Sequence, residues 1–371
     1  MNILVFSWRD PKHPLAGGAE QVMHEHMKGW VGAGHKVTLF TSHFSGGSRK
    51  ENVDGVLVIR RGFQYLGVHF LGCFWYLFGK HQRFDLVVDQ FHGIPFFTPL
   101  YVRVPKLAVL QEVAREVWFI SQMPKSLGWL VGWFCYLLEP FFFIMYKKIP
   151  FMVGSDSAKK DLVKFGVPPT DVTIVSHGVL VKKPVPMPPK EHKKTIIFLG
   201  ALARDKGIED AIKVFAILSK KKDFNFWVVG KGPPDYLVYL KGLTEVLDIS
   251  KQVSFWGFVS TEKKFELLAK AHVMVNPSIR EGWGLVNIEA NSMGTPVVAY
   301  KSPGLIDSIK SGVSGIFCVE NTPKALAEAV YVLLTNTKRL ATMSGTAVDW
   351  SKRFSWKQAR VQSLQLIKEV V

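Results

Sequence analysis

Apolar residues in the first half of the chain fall in short unbroken runs: NILVFS (2–7), KVTLFT (36–41), DLVVD (85–89), KLAVLQ (106–111) and PFMVGS (150–155). Unbroken runs, rather than strict alternation, suit strands covered on both faces, as in a parallel sheet. Between the first two runs Val22, Met23, Met27, Trp30 and Val31 recur at helical spacing, and GAGH (32–35) ends that helix. This is a βαβ unit, with the right-handed crossover such units take. A second series follows: TIIFLG (195–200), NFWVVG (225–230), QVSFWG (252–257), HVMVNP (272–277) and PVVAY (296–300), each succeeded by a helical pattern. The stretch between the two series, KKPVPMPPKEHKK (182–194), is rich in proline and charge and reads as a linker. The pattern therefore predicts two tandem doubly wound α/β domains, residues 1–181 and 195–350, with 351–371 as a final helix able to return to the first domain. Ligands of open α/β sheets bind outside the carboxyl ends of the strands, so the interdomain cleft is the expected site.

Length and composition agree with two cores, since 371 residues with 48% hydrophobic content exceed one comfortable domain. The net charge of +17 adds a preference for anionic partners. Nucleic acid fits poorly, because the cations are dispersed and the aromatics sit in apolar runs instead of interleaving with basic residues. Three scattered cysteines, Cys73, Cys135 and Cys318, form neither a disulfide framework nor a metal-ligand spacing, which points to a reducing compartment and no structural metal. The start, MNILVFSWRD, enters a strand directly and shows no leader pattern. Ser126 to Lys148 approaches membrane-spanning length, yet Glu139 and Pro140 interrupt it, so it is expected to be helical and either buried or lying on a membrane surface. Together with the aromatic stretch 63–84 and the nearby Lys80, Arg83, Lys147 and Lys148, it suggests contact with an anionic bilayer surface.

Chemistry gathers at the strand ends. Gly17 and Gly18 open the first helix, where free N–H groups and the helix dipole favour an anion. The full G-x-G-x-x-G is missing, which disfavours a dinucleotide site. After the first strand of the second series, Arg204 and Lys206 stand beside a helix start, placed to clamp a diphosphate. In PSIREGWGLVNIEANSMGTPVV (277–298), Glu281 and Glu289 lie eight positions apart, a helical separation of at most about 12 Å. One carboxylate can accept from sugar hydroxyls and the other from a ribose diol, while Gly282 and Gly284 loosen the loop and the N–H groups of Trp283, Gly284 and Leu285 meet the charge between them.

With GGAE (17–20), IVSHGV (174–179), LGALARDKG (199–207), VVGKGP (228–233), VSFWGFV (253–259) and the segment 276–315, this constellation resembles the retaining family 4 glycosyltransferases of GT-B fold over nearly the whole chain. The resemblance implies two Rossmann-like domains, a nucleotide-sugar donor on the second, an acceptor held mainly by the first, and no metal at the diphosphate; no cofactor is expected, and the aromatic stretches with their basic flanks suggest a glycan or lipid-linked acceptor near a membrane. It implies catalytic roles for Glu281, Lys206 and Arg204, and donor contacts by Gly17, Gly18, Gly282, Trp283, Gly284, Leu285 and Glu289. Acceptor-side candidates are His92, Gln111, Glu112 and Arg115. The implied location is the cytoplasm, at the inner face of the cell membrane where the aromatic helices bind it. Three positions depart from the pattern: Ala201 stands where the family usually has Arg, Gln111-Glu112 where many members carry His-Asp, and Pro303-Gly304 where the family pairs glycines. The alternatives are a non-catalytic relative that binds sugar nucleotides, an inverting GT-B transferase, and a phosphorylase, the last expected to need a much larger chain.

Overall fold

The computed structural model describes residues 1–64, 66–91, 93–115, 117–120 and 125–371. The chain divides into two compact units, Met1–Gly178 with Ser355–Val371, and Val179–Phe354.

Unit 1 runs β1 (Asn2–Phe6), α1 (Gly18–Gly32), β2 (Lys36–Thr41), β3 (Lys50–Val53), β4 (Val56–Arg60), α2 (Leu66–Phe78), β5 (Leu86–Phe91), β6 (Lys106–Leu110), α3 (Val117–Ile120), α4 (Lys125–Met145), β7 (Phe151–Val153), α5 (Asp156–Lys164) and β8 (Val172–Ile174). Its sheet has the order β3-β4-β2-β1-β5-β6-β7-β8, parallel except for β3 against β4. Along β1, Ile3 and Val5 join one core with Met23, Met27 and Trp30, while Leu4 and Phe6 join another with Phe40, Val68 and Trp75. That double burial is why the run is unbroken, each such side chain contributing about 1.5–3 kcal/mol. The pair β3 and β4 goes beyond the five strands that the sequence pattern predicts here. Its turn is Asp54-Gly55, both at positive φ, with the Gly55 N–H donating to Asn52 Oδ1 at 2.9 Å. An Asp-Gly step between short runs is a hairpin signal.

The aromatic stretch after Lys125 forms the single helix α4, with Pro140 inside it. Glu139 is buried and accepts the N–H groups of Ala114 and Arg115 at 2.7 and 3.0 Å, while burial pushes its carboxyl above the usual range. Among the described residues no helix is long and apolar enough to cross a membrane.

Unit 2 runs β9 (Thr195–Leu199), α6 (Ile208–Ser219), β10 (Asn225–Val229), α7 (Pro234–Val246), β11 (Val253–Gly257), α8 (Thr261–Lys270), β12 (Val273–Asn276), α9 (Leu285–Ser292), β13 (Val297–Ala299), α10 (Leu305–Ser308), β14 (Gly315–Phe317), α11 (Pro323–Thr335) and α12 (Thr337–Ser351). Its six strands are all parallel, ordered β11-β10-β9-β12-β13-β14. Ile196 and Phe198 face one core and Ile197 the other. The proline-rich stretch 182–194 belongs to this unit and is tied down. The Glu191 N–H donates to Lys270 O at 3.0 Å, and Lys190 Nζ donates to Ala271 O and Thr295 Oγ1 at 2.6 and 2.8 Å. Burial lowers the Lys190 amine to about 7.

The last helix, α13 (Trp356–Val370), packs in unit 1, where Leu366 and Ile367 enter the core of β1 and Trp30 Nε1 donates to Ser363 Oγ at 3.2 Å. Arg360 pairs with Glu25 beside it.

Candidate active site

In unit 2 the chain leaves β9 toward β10 on one side and returns to β12 on the other, so the β9/β12 junction is a topological switch point. At such a junction the loops leaving the two strands diverge and open a crevice. The loop after β9 carries Arg204, Asp205 and Lys206 in one 3-10 turn before α6, and the loop after β12 carries Pro277 to Gly284 before α9.

Backbone contacts fix these loops to each other. The Ile279 N–H donates to Asp205 O at 3.0 Å. Gly207 has φ +72°, and a Cβ there would collide with the Pro277 carbonyl, so only glycine allows the approach. On the other flank the Glu281 N–H donates to Pro303 O at 3.1 Å and Ser302 Oγ to Ser278 O at 2.7 Å. Gly304, at φ +80°, lies so close to the Glu281 carbonyl that a Cβ could not fit.

A buried polar chain orients α9. Asn276 at the end of β12 donates Nδ2 to Asn287 Oδ1 at 2.8 Å, Asn287 Nδ2 donates to Ser308 Oγ at 2.8 Å, and the Ser278 N–H donates to Asn276 Oδ1 at 3.2 Å. Gly284 caps α9 in the left-handed region without a side-chain cap bond; the Asn287 N–H donates to the Gly284 carbonyl at 3.0 Å, which leaves the N–H groups of Leu285 and Val286 to an acceptor.

Within this frame Lys206 Nζ lies 3.0 Å from Glu281 Oε1 and 3.6 Å from Asp205 Oδ2. Glu281 Oε1 also accepts from Ser278 Oγ at 2.9 Å. The Lys206 and Glu281 side chains are 24% and 18% exposed, so a ligand can reach both. An ion pair this open is worth at most about 1 kcal/mol, and a more highly charged anion can take the lysine from it. Glu289 is matched to a second lysine, Lys264 of α8, at 2.5 Å. Burial raises the Glu289 carboxyl, and Lys264 opposes the shift.

The structure thus brings Lys206, Glu281, Gly282, Gly284 and Leu285 to one switch point, with Glu289 on the helix that leaves it. Arg204 does not share the Lys206–Glu281 contact: it is exposed and pairs with Glu209 at 3.4 Å, beside Tyr236, whose hydroxyl donates to the same carboxylate. The Trp283 side chain is buried and packs edge-on to Phe354 at 4.8 Å, so it anchors the loop rather than facing a ligand. Spacing alone could not reveal Ser278, Lys264 or the Asn276–Asn287–Ser308 chain, because their roles depend on pairings across elements.

In unit 1 the Gly17 N–H, expected to meet a ligand anion, donates to Glu20 Oε2 at 2.7 Å, and Glu20 in turn lies 3.1 Å from Arg9 Nε. The helix supplies its own carboxylate at that point. Gly18 is the first residue of α1. Gln111 is buried after β6 and Glu112 half-buried beside it. Arg115 stacks over the Phe165 and Tyr136 rings at 4.6 and 5.2 Å. His92 lies outside the described residues.

Comparison with known proteins fits this geometry. Residues 16–183 match the family model described as Glycosyltransferase Family 4, and residues 182–350 the one described as Glycosyl transferases group 1. An uncharacterised glycosyltransferase of Methanocaldococcus jannaschii is 30% identical over 180 residues, covering 48% of this chain and 46% of the relative. A D-inositol 3-phosphate glycosyltransferase of Corynebacterium glutamicum is 28% identical over 185 residues, covering 48% and 44%. The chain thus spans about half the length of the curated relatives it matches. Among solved structures, sucrose-phosphate synthase from Thermosynechococcus elongatus superposes with a TM-score of 0.81 at 18% identity, covering 100% and 98% of the two chains. WaaG, a glycosyltransferase involved in lipopolysaccharide biosynthesis, gives 0.75 at 18% identity, covering 98% and 99%. Anabaena HepE in complex with UDP-glucose gives 0.72 at 17% identity, covering all of both chains. The architecture is that of the GT-B glycosyltransferases. Each half of the chain, moreover, matches a glycosyltransferase family model of its own.

Proposed function

We propose that the protein is a retaining glycosyltransferase that moves a sugar from a nucleotide-diphosphate sugar to an acceptor hydroxyl on a lipid-linked or membrane-proximal glycan. The observation that carries this reading is the accessible Lys206–Glu281 pair at the switch point of unit 2, next to the open N-terminus of α9. Anabaena HepE, a neighbour of the same fold, is described in complex with UDP and with UDP-glucose, which supports a nucleotide sugar as donor.

On donor binding, the diphosphate takes Lys206 Nζ and the first N–H groups of α9, and Glu281, relieved of its lysine, accepts from the sugar hydroxyls. Glu289 accepts from the ribose diol. As the bond from the anomeric carbon to the phosphate oxygen breaks, negative charge accumulates on the diphosphate, and fixed donors already aimed at it stabilise that charge without reorganising. The acceptor oxygen bonds to the anomeric carbon on the face the phosphate leaves, and its proton passes to the departing phosphate oxygen. The donor is a substrate, and the scheme uses no resident cofactor or metal. Exposed apolar residues on α2 and α4, including Phe70 and Phe134, support the membrane-proximal acceptor.

A panel of nucleotide sugars, incubated with glycan acceptors in the presence of a chelator, tests the reading. Transfer that survives the chelator and yields a product of unchanged anomeric configuration by NMR is expected. An inverted product would overturn the retaining assignment. Donor binding without transfer to any acceptor would favour a non-catalytic relative, a reading consistent with the short side chain at Ala201 beside the β9 loop.

A further inference from the structure

We propose that a basic cavity in unit 1 binds the phosphate-bearing headgroup of an anionic lipid, with the apolar face of α2 lying in the bilayer interface. The inference deepens the membrane-proximal part of the function proposed above.

The cavity, of about 770 Å³, lies between the β4 end of the sheet and one side of α2. Arg49, Lys50, Arg61 and Lys80 line it, with His43, and no carboxylate does. Those four cations are exposed and make no ion pair among the described residues. The two acids that hold Arg60, itself in the cavity lining, are already spent. Asp10 and Glu51 hold the buried Arg60 guanidinium through bonds of 2.8–2.9 Å, and Glu51 also pairs with Lys12. Four cations around one concavity without a counter-charge repel one another unless an anion enters.

The apolar half of the argument is α2. Phe63 and Leu71 form part of the cavity wall. From there the exposed residues continue along the helix as Leu66, Phe70, Phe74 and Phe78 at intervals of four, a single stripe on one face. Phe70 and Phe74 are 72% and 63% exposed although the opposite face, with Val68 and Trp75, is in the core. No charged residue interrupts Leu66–Phe78. A soluble phosphate ester would account for the cations and leave this stripe facing water. A headgroup with acyl chains accounts for both, because the charges border the stripe where a bilayer surface would lie. Duplex DNA would leave the phenylalanines unused.

Flotation of the intact protein with phosphatidylcholine vesicles, with and without phosphatidylglycerol, tests the proposal. Binding to the phosphatidylglycerol vesicles only is expected, together with a loss of at least about tenfold in the double variant Arg49→Glu/Arg61→Glu and a comparable loss in Phe70→Ser/Phe74→Ser. All four side chains are exposed, so both variants should keep the wild-type circular dichroism and thermal midpoint. Equal binding to phosphatidylcholine alone, or binding indifferent to Arg49→Glu/Arg61→Glu, overturns the headgroup site. Binding that needs the arginines and ignores Phe70→Ser/Phe74→Ser, or that glycerol phosphate abolishes at equimolar lipid phosphate, assigns the cavity to a soluble phosphate ester and overturns the lipid. Equally tight binding to duplex DNA at the same ionic strength also overturns it. Transfer to a soluble acceptor, measured in the same variants, keeps failure here separate from failure of the donor-site reading.

Discussion

Lys206 and Glu281 hold each other across the crevice, and that contact is as much a preparation as a bond. The lysine is kept at the crevice by one acid of its own turn, Asp205, and one from the β12 loop. Because the loops are joined through backbone, their geometry depends on small residues. Gly304→Ala forces a Cβ against the Glu281 carbonyl at a left-handed φ and is expected to cost about 1–3 kcal/mol. The measurement is the thermal midpoint together with transfer rate, and an unchanged rate would show that the loop position is not required. Asn287→Ala removes the acceptor of the buried Asn276 Nδ2 and the donor to Ser308 Oγ, with a similar expected loss. At this scale the sequence was legible where a motif is local: Glu281, Gly284 and Lys206 stand out by their place after strands. Lys264 was not, since its pairing with Glu289, 25 residues on, joins two different helices. Nor was Arg204's partner, because the cation next to a helix start looks the same whether it turns to a ligand or to Glu209.

Helix α13 covers two buried histidines that carry a pH dependence. Its Trp356 packs edge-on to His26 at 5.7 Å, and His26 lies 6.5 Å from His177. His26 is fully buried with neither ring nitrogen hydrogen-bonded among the described residues, and burial lowers it to about 3; burial also lowers His177 to about 4. Both values lie below the 6.5 of the unfolded chain, so between pH 6.5 and 4 the unfolded state binds more protons than the folded one. Stability should therefore fall as the pH drops from 6.5, with a slope approaching about 1.4 kcal/mol per pH unit for each histidine. Denaturation midpoints of wild type and His26→Phe at pH 7 and pH 5 check this: the variant should lose less between the two. A parallel loss would remove His26 from the account. The strand pattern predicted most of the parallel elements, since unbroken apolar runs mark strands buried on both faces. The helix α2 was ambiguous, because a run such as GVHFLGCFWYLF is as apolar on its exposed side as on its core side. Only the packing of Val68 and Trp75 shows which face is which.

The chain is discontinuous in one unit and continuous in the other. Val179–Phe354 contains its whole sheet and both of its cores, while unit 1 needs Ser355–Val371 to cover Trp30, Met23 and Met27. Residues 179–354 alone are thus expected to fold cooperatively and to bind a nucleoside diphosphate within about tenfold of the full chain's affinity. Residues 1–178 alone should expose that core and aggregate. A fragment 179–354 that stays unfolded would contradict the division. At this scale composition was informative about number of domains and net charge. It did not show where the charge is uncompensated, because the pairing of Arg60 with Asp10 and Glu51 and the isolation of Arg49, Arg61 and Lys80 are set by the fold.

The most direct test of the central claim is calorimetric titration of nucleoside diphosphates into wild type, Lys206→Ala and Glu281→Gln, alongside nucleotide-sugar turnover. Lys206→Ala should weaken diphosphate binding by about tenfold or more, the loss of one charge-assisted contact of 1.5–3 kcal/mol. Glu281→Gln should bind the diphosphate about as well as wild type, yet lose transfer by at least about a hundredfold. Diphosphate affinity unchanged in Lys206→Ala, or full turnover in Glu281→Gln, would contradict the claim that these two side chains divide the donor between them.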